Sequence, residues 1–245
     1  MKKAILTSSL LILCLLGRAQ INHITWDGIL KKFVDQKGDV NYTGLKNDRM
    51  QFDAYLDFLK NNHPKASWTP NEAKAYWINA YNAFTVQIVL DNYPVKSIKD
   101  IGGIIYKVNT TWDVSFIKIN GEELTLNDIE HKKLRGQFDD PRIHVAVNCA
   151  SFSCPKLRNE AYLADKLESQ LDDQAFAFVN NPLKNDLSNP LEPKISEIFN
   201  WYAGDFEKDG NTVIAFINKY GNKKIPTNTK LFYMEYNWSL NEMKK

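Results

Sequence analysis

The sequence feature that most constrains the fold is a long apolar segment that carries its own helix-start signals. Thr69-Pro70-Asn71-Glu72 places a proline directly after a threonine and a glutamate three residues after it. This is the pattern of a helix N-terminus with a capping box. The residues from there to Tyr93-Pro94 are apolar on almost every side of a helical projection. Because a helix without a polar face has to be buried, we predict a central helix from Pro70 to about Asn92.

Two amides interrupt the apolar surface of this helix. Asn79 and Asn82 are three residues apart and therefore share one face. A buried amide needs hydrogen-bond partners. Two interpretations follow: the amides fix neighbouring backbone, or they orient a reactive group and bind an amide of a substrate.

The flanking sequence predicts more helices around a small sheet. Asn120-Gly121 between two short apolar segments is typical of a type I′ hairpin turn, and Lys230–Tyr236 alternates as a strand does. We therefore predict an α+β fold, with the buried central helix and further helices packed on a small, mainly antiparallel sheet. Helical spacing of apolar residues predicts those helices over Trp26–Phe33, Met50–Leu59, Leu163–Val179 and Thr212–Tyr220, with an aromatic helix starting at Ser196.

The best candidate for chemistry is the segment from Arg142 to Pro155. It begins as a short apolar run, which predicts a buried strand, and it ends in small and polar residues typical of a loop. His144, Cys149 and Cys154 fall within it, and loops of this kind commonly present reactive groups. Because side chains alternate along a strand, His144 and Cys149 are expected to face apart. That geometry disfavours a simple Cys–His pair.

Glu130 occupies an unusual position on the helix that precedes this segment. Leu126, Glu130 and Leu134 recur at a spacing of four, which places the carboxylate on the apolar face of the helix. A carboxylate there must find a partner, and we expect Arg142, His144 or one of the two helix amides to provide it. A structural ion pair and a functional acid, base or orienting group are both consistent with this position.

The first 19 residues predict a secretory signal peptide. Lys2-Lys3 precede an apolar stretch from Ala4 to Leu16, and small residues surround Ala19. We expect cleavage near Ala19, export to the periplasm or out of the cell, and a single globular domain over residues 20–245. The mature chain contains no apolar stretch long enough for a transmembrane segment. Cleavage would remove Cys14 and leave Cys149 and Cys154. Two cysteines in an oxidising compartment often pair.

The net charge gives no reason to expect a nucleic acid partner, and the spacing of possible metal ligands argues against a metal site. The chain has 31 Lys and Arg against 29 Asp and Glu, a net charge of +2, which gives no reason to expect a nucleic acid partner. His144, Cys149, Cys154 and Glu130 are of types that zinc accepts. No pair of ligands at short, regular spacing accompanies them, so we predict neither a metal nor a cofactor.

Four sequence blocks carry a family resemblance, and they are Tyr76–Phe84, Leu124–His131, Arg142–Leu157, and Ile195–Tyr202 with Asp205-Phe206. They resemble blocks of the domain-of-unknown-function 547 family, and the resemblance extends from about Tyr42 to Tyr220. It implies no activity, because that of the family is unknown. Cys154 looks less essential to the family pattern. The residues on which the resemblance places weight are Asn79, Asn82, Glu130, Arg142, His144 and Cys149.

A weaker, fold-level analogy connects the chain with papain-like and transglutaminase-like cysteine hydrolases. Those folds also set a buried helix against an antiparallel sheet and use a cysteine, a histidine and a carboxylate. Their nucleophilic cysteine lies on the helix, whereas the helix here carries Asn79 and no cysteine.

Two functional hypotheses follow. In the first, the chain is an exported domain that binds a peptide, glycan or protein partner, and its cysteines are inert or disulfide-bonded. In the second, it is a thiol-dependent hydrolase or acyl transferase, which needs a thiolate, a base and a polarising donor. Cys149 is then the nucleophile, His144 the base and Glu130 the orienting carboxylate. The substrate-binding candidates are Asn79, Asn82 and Arg142.

Overall fold

The computed structural model of this chain describes residues 22–102 and 110–244, so the predicted signal peptide lies outside the described residues. The α-helices of the described part are α1 (Ile24–Phe33), α2 (Tyr42–Asn47), α3 (Met50–Asn61), α4 (Pro70–Asn92), α5 (Ile143–Ala146), α6 (Leu167–Val179), α7 (Ile198–Trp201), α8 (Ala203–Phe206) and α9 (Val213–Tyr220). A π-helix spans Asp128–Arg135, and short 3₁₀ turns span Ile98–Asp100, Thr111–Asp113 and Lys208–Gly210. The strands are β1 (Ile117–Ile119), β2 (Glu122–Leu124), β3 (Lys194–Ile195) and β4 (Phe232–Tyr233).

Helix α4 is the central buried helix that the sequence predicts. Its start is the predicted capping box, because the Glu72 N–H donates to Thr69 Oγ1 while the Thr69 N–H donates to the Glu72 carboxylate. Every residue from 74 to 86 is buried. Helix α3 and the π-helix pack directly against it. The prediction of an α+β fold with a central buried helix is confirmed.

The strands form two small sheets, each of two strands. β1 and β2 make the predicted antiparallel hairpin, and Asn120 and Gly121 have φ values of 52° and 78°, as a type I′ turn requires. β3 pairs with β4 in parallel. The predicted closing strand over Lys230–Tyr236 is therefore reduced to two residues, and its pairing is parallel rather than antiparallel.

Buried apolar side chains of the described residues form two clusters that meet at α5. The larger cluster contains α4 with the helices and hairpin around it, and the smaller contains α7, α8 and α9. Ile143 belongs to the larger cluster and Val145 to the smaller. None of the described helices has the length and apolar character needed to span a bilayer.

The segment after Arg142 is a short helix, α5, and the predicted buried strand is wrong. The chain turns at Asp140, whose side chain accepts the Arg142 N–H and whose carbonyl accepts the Ile143 N–H. Helix α5 then packs against α6. A short apolar run does not by itself distinguish a buried strand from a buried helix. The expected alternation of His144 and Cys149 therefore does not apply.

Candidate functional site

A cavity of about 180 Å³ lies between α4, the π-helix, the loop after α5 and α7. It contains the chemically active side chains of the candidate segment together with Glu130. A cavity of about 760 Å³ around Lys74 and Arg142 is larger, but it has no cysteine or histidine in its wall. The smaller cavity is lined by Tyr81, Trp112, Asn127, Glu130, His144, Val147, Cys149, Cys154, Ile198, Trp201, Tyr202, Tyr236 and Trp238.

Cys149 lies on the loop after α5 and is a free, partly buried thiol. Its Sγ lies 2.8 Å from Cys154 Sγ, 3.1 Å from Ser151 Oγ and 3.3 Å from the Tyr236 hydroxyl. Burial alone raises the pKa of Cys149, but hydrogen bonds with Cys154, Ser151 and Tyr236 outweigh burial and lower it to about 7. Burial and the neighbouring Cys149 raise the pKa of Cys154 well above its usual value. Cys149 is therefore the thiol that ionises near neutral pH.

The two helix amides hold the backbone around the cavity. Asn82 Nδ2 donates to the Ala146 carbonyl, and Asn82 Oδ1 accepts the Asn148 N–H, at 3.0 and 2.8 Å. Asn79 clamps both backbone groups of Tyr162 in the same way. Of the two interpretations for these amides, the structure supports the fixing of neighbouring backbone. Neither amide lines the cavity.

His144 is buried in the cavity wall and is oriented by a carboxylate. Its Nε2 lies 2.6 Å from Asp205 Oδ2, and its ring stacks on Tyr202 with 3.9 Å between the centroids. Arg135 binds both oxygens of Asp205, at 2.6 and 3.1 Å. The hydrogen bond from His144 and the one from Arg135 hold the pKa of Asp205 well below its usual range. Nδ1 of His144 has no hydrogen-bond partner among the described residues.

Glu130 lines the same cavity but does not orient His144. Its side chain is buried, and its partner is the hydroxyl of Tyr202. Burial raises the pKa of Tyr202, and the charge of Glu130 and the hydrogen bond to it raise that pKa further. The expected contact of Glu130 with His144, Arg142 or a helix amide is wrong. The reason is that Tyr202 and Asp205 come from a segment about 70 residues later in the chain. The spacing of apolar residues around Glu130 does not predict where that segment packs.

Arg142 lies outside the cavity in a network of carboxylates. Its guanidinium donates to Asp140, Glu168 and Asp172, at 2.9, 2.5 and 2.8 Å. Burial opposes its charge, but these hydrogen bonds raise the pKa of Arg142 above its usual value. The substrate-binding role of Arg142 stays a prediction: its donors bind carboxylates, and it lines the 760 Å³ cavity rather than the one that contains Cys149.

A comparison with protein families identifies the region that builds most of this site. The family model described as "Protein of unknown function, DUF547" matches residues 65–179. The chain belongs to the DUF547 family. Neither a curated protein nor a solved structure matches it. The matched region of this DUF547 chain runs from the start of α4 to the end of α6, and it contains Glu130, His144 and Cys149.

The structure thus brings together three of the predicted site residues of the DUF547 chain, Cys149, His144 and Glu130. Two further residues escaped the sequence reasoning. Asp205 belongs to the fourth resembling block, which is the one sequence signal for it, but the sequence assigns it no role. Tyr236 had no signal, since it lies 87 positions from Cys149.

The described residues contain no group of three or more histidine, cysteine, aspartate or glutamate side chains that could hold a metal ion. His144 and Glu130 share the cavity with the two thiols, but they are held by Asp205 and Tyr202.

Proposed function

We propose that this chain is a thiol-dependent hydrolase or acyl transferase whose nucleophile is Cys149. The observation that carries the proposal is that a thiol with a pKa of about 7 and a carboxylate-bound histidine line one cavity. A thiolate is the nucleophilic form of cysteine. Ionisation near neutral pH makes that form available, and an oriented histidine supplies the proton transfers that acyl chemistry needs.

The reaction uses these residues in turn. The Cys149 thiolate attacks the carbonyl carbon of an ester, amide or thioester, forms a carbon–sulfur bond and moves an electron pair to the carbonyl oxygen. Collapse of this adduct breaks the bond to the leaving group, which departs with a proton from His144. Water or an acceptor hydroxyl or amine then attacks the thioester, gives its proton to His144 and releases the thiolate. Water as acceptor gives hydrolysis, and the other acceptors give transfer.

Asp205 and Tyr236 support these steps. Asp205 binds Nε2 of His144, so Nδ1 is the nitrogen left for proton exchange, and the carboxylate favours the imidazolium that forms. The Tyr236 hydroxyl lies 3.3 Å from Cys149 Sγ and 3.2 Å from Ser151 Oγ. A hydroxyl at this distance stabilises the thiolate before attack. It is also the candidate donor to the oxygen that becomes negative during attack.

Trapping of the acyl group on Cys149 tests the proposal. The chain is mixed with p-nitrophenyl acetate in reductant, quenched in acid and analysed by intact mass and peptide mapping. We expect an acetyl group on Cys149 in the wild type and none on that peptide in Cys149→Ala. Cys154→Ala, the matched control, keeps the nucleophile but loses a hydrogen bond that lowers its pKa, so it should still form the adduct, though more slowly. Hydrolysis that is unchanged in Cys149→Ala, or an adduct on another residue alone, would contradict the assignment.

A second candidate function is binding of a peptide, glycan or protein partner without chemistry. It is favoured by the aromatic cluster of Trp201, Tyr236 and Trp238, whose rings lie 4.6–5.7 Å apart and whose Trp201 is 47% exposed. Aromatic rings with an exposed face suit such partners. In that case Trp201→Ala would weaken partner binding, Cys149→Ala would not, and no acyl adduct would form.

We also propose that the chain is exported, on the basis of its basic and apolar N-terminus. N-terminal sequencing of the protein from its native host tests this. A mature chain that starts near Gln20 is expected, and a retained Met1 in a cytoplasmic fraction would contradict export.

A further inference from the structure

The wall of the site cavity carries a negative charge that no ion pair among the described residues neutralises. Glu130 is 4% exposed. Among the described residues no cation lies within ion-pair distance of it, although the hydrogen bond to Asp205 and, from a greater distance, the charge of Glu130 raise the pKa of Arg135. Neither lysine nor arginine is among the residues that line the cavity. This cation, Arg135, donates from Nε and Nη2 to Asp205, and its Nη1 lies 2.8 Å from His131 Nδ1.

The burial of this charge costs free energy. A buried carboxylate loses its hydration and is stabilised in full only when a cation and hydrogen bonds replace the water. The Tyr202 hydroxyl supplies Glu130 with a hydrogen bond and no charge. Ionised Cys149 adds a second negative charge to the same wall. A ligand that brings a positive charge into the cavity would offset both.

The rest of the wall fits an organic cation. Aromatic faces attract ammonium groups, and an aromatic cage is the usual protein site for quaternary ammonium. Two rings of the wall already make such contacts, because Lys99 Nζ lies 4.9 Å from the centre of the Trp238 ring and Arg135 Cζ lies 5.1 Å from that of Tyr202. The aromatic residues of the cavity wall are Tyr81, Trp112, Trp201, Tyr202, Tyr236 and Trp238.

Other ligand classes fit this wall less well. An anionic group would meet Glu130 and the Cys149 thiolate with no cation in the lining. A neutral apolar group would fill the space, since about 180 Å³ exceeds the roughly 150 Å³ of a cavity that binds benzene. It would nevertheless leave the carboxylate of Glu130 desolvated and without an ion-pair partner.

We infer that the cavity binds an organic ammonium group of the substrate, and that Glu130 determines this specificity. That the cavity binds an organic cation follows from the residues of its wall. That this cation is part of a substrate rests on the proposed acyl chemistry. The favoured substrates are small acyl compounds that carry a protonated or quaternary amine close to the reactive carbonyl.

A pair of probes with the same shape and different charge tests the inference. Choline and 3,3-dimethyl-1-butanol differ in having a quaternary nitrogen or a quaternary carbon. Their affinities for the full chain with Cys149→Ser are measured by tryptophan fluorescence or calorimetry near neutral pH. We expect choline to bind at least about tenfold more tightly, in line with a desolvated cation–π contact. Glu130→Gln should remove most of that preference and change the affinity for the alcohol by less than about threefold.

Controls separate this inference from a folding defect and from the proposed function. Glu122→Gln alters an exposed carboxylate that pairs with Lys133 and should keep the preference for choline. Equal binding of the two probes, tighter binding of the alcohol, or binding of neither would overturn the inference, even where Glu130→Gln fails to fold. Selective choline binding without any acyl adduct would refute the proposed function alone. Adduct formation at equal rates from cationic and neutral esters would refute the specificity alone.

Discussion

The Nε2 atom of His144 lies 2.6 Å from Oδ2 of Asp205, across 61 positions of sequence. The contact fixes the orientation of the buried ring. Nε2 is bound to Asp205, whereas Nδ1 has no hydrogen-bond partner among the described residues. Arg135 holds the carboxylate from its other side. This relationship connects the DUF547-matched segment to α8, which lies beyond the match.

Loss of this carboxylate should slow acyl transfer without removing the nucleophile. Asp205→Asn keeps the shape of the side chain but removes the charge that orients His144, so we expect kcat/KM to fall by about 10²- to 10⁴-fold. Alkylation of Cys149 should change far less, because no hydrogen bond joins it to His144. Steady-state kinetics with an activated ester measure the first quantity. The control is Asp209→Asn, an exposed carboxylate in the next turn. Wild-type turnover in Asp205→Asn would show that the contact is structural only.

The amide of Asn82 should support both stability and the Cys149 loop. Asn82→Ala leaves the Ala146 carbonyl and the Asn148 N–H buried without their partner, which should cost about 2–4 kcal/mol in the free energy of unfolding. Urea denaturation measures this value. Asn61→Ala, at an exposed amide that also bonds backbone, should cost less than about 0.5 kcal/mol. Similar losses in the two variants would contradict the anchoring role.

The parts of the fold that the sequence predicted are those with local signals. The capping box at Thr69 and the fully apolar surface behind it were enough to predict α4, and Asn120-Gly121 was enough for the hairpin. The segment after Arg142 gave the wrong element, since its apolar residues satisfy either a strand or a buried helix. Asp140 decides between them by accepting two backbone N–H groups.

The site was predictable only for residues that lie close together in sequence. His144 and Cys149 were identified because they fall within one short segment. The carboxylate of His144 was assigned to Glu130, which is near in sequence, whereas Asp205 reaches it through the packing of α8. Partners separated by 60 or more positions depend on tertiary packing, which no periodicity in a single chain reports.

His23 should make the protein less stable in mild acid. Burial lowers the pKa of His23 from 6.5 to about 4, so the folded state favours the neutral ring. The stability that this provides is present in full above pH 6.5 and is lost as the pH falls toward 4. The decrease in the free energy of unfolding should reach about 3 kcal/mol. Urea midpoints of wild type and His23→Gln over this interval measure the effect, and the variant should show the flatter dependence. Parallel pH profiles would contradict the prediction.

The two thiols should form a disulfide under mild oxidation. Their Sγ atoms lie 2.8 Å apart and both are free, so diamide, which accepts the two hydrogen atoms, should close the pair within one chain. Intact mass after alkylation should then show the loss of both labelling sites, and reductant should restore them. Cys154→Ser should remain a monomer with Cys149 free. Continued labelling of Cys149 in the oxidised wild type would contradict the contact.

The most direct test of the central claim is the pH dependence of Cys149 alkylation. The rate of iodoacetamide labelling is followed by peptide mapping in reductant, which separates Cys149 from Cys154. Loss of a hydrogen-bond donor raises a thiol pKa, so Tyr236→Phe should move the profile to higher pH. Tyr233→Phe, at an exposed ring, should leave it unchanged.

For the wild type we expect the labelling rate of Cys149 to follow a single ionisation near pH 7, with Cys154 much slower at every pH. Labelling that requires denaturation would mean that Cys149 is an inert buried thiol. A profile that follows the ordinary thiol value of about 8.5 would mean that its neighbours do not activate it. Either result would contradict its assignment as a nucleophile.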